Sequence, residues 1–181
     1  MAIVMTYRNL DRLPWCVIAV ALLFAMTLLA WEYTHGGVVS HHFLDRRDMP
    51  AISNWWSLAV LPLLGWLASW SVRRRTDVDA RALPKAVAAT LGALLAGVAI
   101  AAAFVTGHQH VTGYVFFAAL ASGVVWPTYR AEYVFGFVLG MTFAFGAVLP
   151  TLFALIGAAI SAIFHLLLRP SFAHVIRRVR A

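Results

Sequence analysis

Residues 133–168 run for 36 consecutive positions without one formally charged side chain. As a single α-helix that stretch would be about 54 Å long, at about 1.5 Å per residue. The hydrocarbon core of a bilayer is only about 30 Å thick. The stretch therefore reads as two spans of about 18 residues each, divided at Leu149-Pro150-Thr151. One long kinked helix is the competing reading.

The rest of the chain has the same character. Of its 181 residues 62% are hydrophobic and only 12% charged, with a mean hydropathy of +0.83. A soluble domain is about a quarter charged, so there is too little polar surface here to cover a water-facing globule. A membrane is the natural solvent, and the length suits one compact bundle without a separate soluble domain.

Polar breaks divide the chain into apolar runs at about 13–33, 54–72, 86–106, 111–126, 133–149 and 151–168. The first is longer than a signal-peptide core and ends in Trp31-Glu32-Tyr33, a poor cleavage context. Gly36-Gly37 interrupts the helix after it. Trp55-Trp56 marks re-entry at the interface, Pro62 predicts a kink, and Arg73-Arg74-Arg75 ends the second run. The expected fold class is an all-α, polytopic integral membrane helical bundle of six transmembrane helices, or five if 133–168 is one kinked helix.

Net charge is +7 and the sequence pI about 10.5. The basic residues stand in short clusters between apolar runs, the usual topology signal. Membrane lipids, not nucleic acid, are the partner this pattern implies. With six spans and the N-terminus inside, Arg8, Arg12, Arg73, Arg74, Arg75, Arg81, Lys85, Arg130, Arg169, Arg177, Arg178 and Arg180 are cytoplasmic. These are 12 of the 14 basic residues; Arg46 and Arg47 alone fall outside. Five spans would put the basic tail, 171–181, on the wrong side. The expected location is the inner (plasma) membrane, with both termini in the cytoplasm.

Spans in lipid associate through small residues. Candidate ridges are Ala88, Gly92 and Ala96, then Gly136-xxx-Gly140, then Gly157-xxx-Ser161. They serve internal packing or a homo-oligomer. The single cysteine, Cys16, has no internal disulfide partner and reads as a packing residue.

Five of the seven histidines gather in two polar breaks on the expected outer face: His35, His41 and His42 in the loop 34–53, and His108 and His110 in Gly107-His108-Gln109-His110. Imidazoles gathered in one place can bind a metal. Glu32 and His35 are spaced i, i+3, which puts them on one helix face. If Ser40 caps a short helix, His41 and Asp45 share a face as well. His108 and His110 converge only if their break is a turn. Nitrogen and carboxylate ligands without thiolate suit zinc foremost, then copper, nickel or iron. Three such ligands and a water would make a hydrolytic centre, with Glu32, Asp45 or Asp48 as general base. His165, near the inner end of the last run, is expected to snorkel to the interface.

Three functions compete. The first is this outer-face metal site, hydrolysing a lipid or periplasmic substrate. The second is a small-molecule-binding transporter subunit. About 180 residues in six spans, with a long first outer loop, resembles in size and layout the substrate-binding subunits of energy-coupling vitamin transporters. That resemblance implies a cavity lined by Trp31, Trp55, Trp56 and the loop, with partner subunits. Ala21-xxx-Ala25 is its only echo of a docking surface. The third is a structural or assembly subunit of a membrane complex.

Overall fold

The computed structural model describes residues 11–42 and 51–171, with the backbone alone at His42. Six α-helices carry the described part. Helix α1 (Leu13–Thr34) opens with Pro14 in its first turn, where no backbone N–H is needed. It ends before Gly36 and Gly37, whose φ angles of 122° and 104° are open only to glycine at little cost.

The segment between this helix and the next forms a small antiparallel hairpin. Strand β1 (Ser40–His42) pairs with β2 (Ala51–Ser53), setting His41 opposite Ile52. Ser40 is therefore the start of a strand and not the cap of a short helix. His41 lies within this strand, where the ladder takes the backbone groups a helix would have used; its expected helical partner Asp45 lies outside the described residues. A 3-10 turn, Asn54–Trp56, delivers the chain into helix α2 (Ser57–Thr76). Pro62 lies within α2, and Arg73, Arg74 and Arg75 form its last turn rather than terminating it. Cations are favourable at the negative end of the helix dipole.

Helix α3 (Ala82–Val105) and helix α4 (Gln109–Val125) are joined by a tight turn at Gly107 (φ 78°). Helix α5 (Ala131–Phe145) and helix α6 (Val148–Ala162) follow, and α6 continues through a π-helical segment, Ile163–Leu168. Residues 133–168 are thus two helices, not one. Their boundary is Gly146-Ala147 rather than Leu149-Pro150-Thr151. Gly146 takes φ 66°, and Pro150 sits in the first turn of α6, where proline is tolerated.

Helices α1, α3, α2 with its 3-10 lead-in (Asn54–Thr76), and α6 with its extension (Val148–Ser171) are long and apolar enough to cross a membrane. Helices α4 and α5, with 17 and 15 residues, are shorter. Leu23, Leu95, Phe117 and Leu167 point outward, as lipid contact requires. Helix α5 is central. Its Val134, Phe135 and Val138 pack with Ala21 and Ala25 of α1 and Leu61 and Ala68 of α2. Ala21 and Ala25 are thus core residues, not an outward docking ridge.

On its other side α5 meets α3 backbone to backbone. A Cβ at Gly97 would lie 2.5 Å from the carbonyl oxygen of Phe137, and Cβ atoms at Gly136 and Gly140 would overlap the carbonyls of Thr90 and Leu94. This is the small-residue packing expected of helices in lipid.

Candidate functional site

The hairpin end of the bundle is built around Glu32, which is only 4% exposed. One carboxylate oxygen accepts from Asn54 Nδ2 at 2.5 Å and the other from the Val39 amide at 3.1 Å. The Glu32 backbone carbonyl also accepts from the amides of His35 and Gly37. One residue thereby ties the end of α1 to the hairpin and to the start of α2. Asn54 Oδ1 is pressed against Gly146, leaving no room for a Cβ there. The buried Ser57 hydroxyl accepts from the Ala147 amide at 3.2 Å. The α5–α6 turn is thus locked under the hairpin by a satisfied polar knot, the condition under which buried polar groups are tolerated.

The histidines are arranged differently from one another. His35 stacks on Trp31 with ring centroids 4.7 Å apart, and its Nδ1 donates to the Trp31 carbonyl at 2.8 Å. Although Glu32 and His35 are three apart, the first is buried and the second exposed. His41 is half-buried beside the knot. Burial lowers its pKa from 6.5, and the nearby Glu32 charge opposes that shift. His108 stands at the N-cap position of α4 without a side-chain capping bond, its Nδ1 3.0 Å from the Thr106 hydroxyl, and His110 lies exposed in the first turn. Among the described residues no three His, Cys, Asp or Glu side chains come together as a metal would need. Asp45, Asp48 and the His42 side chain lie outside the described residues. Trp55 and Trp56 line a surface recess of about 310 Å³ with Ser53, Leu58 and Ala59; Trp31 has no part in it.

The larger space is elsewhere. A half-open chamber of about 740 Å³ lies between α3, α4, α5 and α6, with Ala88 and Gly92 exposed along it, within the range of about 300–1,000 Å³ typical of ligand sites. Its α3 wall is Ala88, Gly92 and Ala96. These are the residues whose spacing suggested a closed helix contact, yet a Cβ at Gly92 would meet nothing within 4 Å. Phe116 of α4 and Phe153 of α6 also line it, edge to face with centroids 5.9 Å apart. Helix α4 buries only Gly123. Its C-terminal end is held where Ser161 of α6 donates to the Gly123 carbonyl at 2.8 Å.

The chamber is polar at one end, where the start of α3, the end of α4 and the start of α5 meet. Lys85, Thr128, Arg130, Glu132 and Tyr133 line it there. Glu132 is 2% exposed and accepts from Arg75 of α2 at 2.7 Å. Sequence reasoning missed this acid, treating 127–133 only as the link between two apolar runs. The available signal was a lone carboxylate in the first turn of an apolar helix, at the depth of three arginines. His165 is half-buried: its Nε2 has no hydrogen-bond partner among the described residues, and its ring lies near Tyr129 and Phe164. Comparison with protein-family models, curated proteins and solved structures finds no match.

Proposed function

We propose that the chain is a six-span inner-membrane protein, with both termini cytoplasmic, that binds a small apolar or amphiphilic molecule between α3, α4, α5 and α6. It acts as a binding or carrier subunit. The observation that carries this reading is the chamber of about 740 Å³ beside the small-residue wall Ala88, Gly92 and Ala96. Lipid-facing helices gain by close packing of such residues, so a stripe left open where closure was available is a site for something else. In the proposed orientation the polar end faces the cytoplasm, because Lys85 and Arg130 belong to the cytoplasmic clusters. A metal centre on the outer face gains no support from the described histidines.

The test is native mass spectrometry of protein purified in mild detergent, comparing wild type with Gly92→Leu. The added side chain enters open space, so the fold is expected to persist while co-purifying small molecules disappear. Equal retention in both proteins would sink the reading.

A further inference from the structure

We infer that the ligand is an amphiphile with an anionic head, a phosphate or carboxylate, seated between Lys85 and Arg130 with its apolar tail along α3. The inference rests on the chamber reading and specifies its ligand. The wall supplies the apolar half: Gly92, Ala96, Phe116 and Phe153 offer no charge to a tail. The polar end supplies the sign. Two cations, Lys85 and Arg130, line it against one carboxylate, Glu132. That carboxylate is already matched by Arg75, which reaches it from α2. Lys85 contacts Asp79 at 2.8 Å, but these side chains are 61% and 47% exposed, and an exposed pair is easily exchanged. Arg130 is half-buried and makes no ion pair among the described residues. Arg130 also stands at the N-cap of α5 without a side-chain cap, so the positive end of a helix dipole adds to the same sign.

An anionic head there gains charge-assisted hydrogen bonds from both cations. A cationic head would meet them as like charges. A zwitterionic head would bring its own cation to a site already positive.

The full chain in nanodiscs of zwitterionic lipid would be titrated with dodecyl phosphate, dodecylphosphocholine and inorganic phosphate, with bound ligand counted by native mass spectrometry. Dodecyl phosphate is expected to bind at least tenfold more tightly than dodecylphosphocholine. The double variant Lys85→Gln, Arg130→Gln should erase that preference. Lys85→Gln alone, at an exposed position, should lower it severalfold and covers the case in which the double variant misfolds. Equal affinity for the two amphiphiles in wild type, with both weakened by Gly92→Leu, would overturn the anionic head and leave the chamber reading standing. Binding of both amphiphiles unaffected by Gly92→Leu would overturn both. Inorganic phosphate binding as tightly as dodecyl phosphate would show a site for a free anion and overturn the amphiphile.

Discussion

Helix α3 carries two stripes of small residues that met different fates. On one side Gly97 joins Gly136 and Gly140 of α5 in a seam where backbones touch. On the other, Ala88, Gly92 and Ala96 face open space. Composition does not separate them. What does is the neighbour: α5 is small where it meets α3, whereas α4 and α6 bring Phe116 and Phe153, whose bulk holds the walls apart. A small residue closes a contact only if the facing helix is also small.

The seam gives the sharpest way to break this contrast. Gly140→Leu should destabilise the protein by about 3 kcal/mol or more, since overpacking usually costs about 1–3 kcal/mol and here the obstacle is backbone. Gly92→Ala, on the open stripe of the same helix, should stay within about 0.5 kcal/mol. Thermal unfolding in one detergent checks both, and equal losses would erase the distinction.

Glu132 stands between the two regions, paired with Arg75 on the closed side and lining the chamber on the other. Glu132→Gln should cost about 1–3 kcal/mol. That is below the full cost of breaking a buried pair because Arg75 is 29% exposed. Asn54→Ala should cost about 1–2 kcal/mol by taking a donor from Glu32. Lying at the opposite end, it should leave ligand retention unchanged. A variant that lost ligand without losing stability would show that the two ends are coupled.

The smallest effect is acid loosening of the hairpin. Burial lowers the folded pKa of His41 from 6.5, so the unfolded loop takes up the proton first. Stability is complete above about pH 6.5 and declines as pH falls from there toward the folded value. The protection factor of the Asn54 amide, which donates to the Val39 carbonyl, should fall on acidification in wild type once hydrogen exchange is corrected for the intrinsic slowing of amide exchange at lower pH. It should respond less in His41→Gln.

Much of the architecture was legible because helix ends in lipid need polar or glycine signals. Gly36-Gly37 and Gly107 break the chain where expected, and the helices lie close to the apolar runs. The α5–α6 boundary was misplaced because its turn is apolar. Pro150 drew attention ahead of Gly146 four residues before it, though a proline in a first turn starts a helix as readily as it ends one. The site was less legible. Glu32 stood out as a polar group beside histidines, but its partners Asn54 and Val39 are set by a hairpin that no short-range pattern announced. The chamber was hidden because small residues look alike whether they touch a backbone or a void.

The brevity of α5 bears on how the chain is made. Fifteen residues span about 22 Å, short of a hydrocarbon core of about 30 Å, and only Gly146 and Ala147 separate the helix from α6. During synthesis α5 is poorly suited to halt in the membrane on its own. It would enter with α6 as a preformed hairpin and find its depth by sliding along α3 until the glycines meet. Assembly would then run in chain order, with the last two helices inserted together to complete a bundle whose first four are already in place.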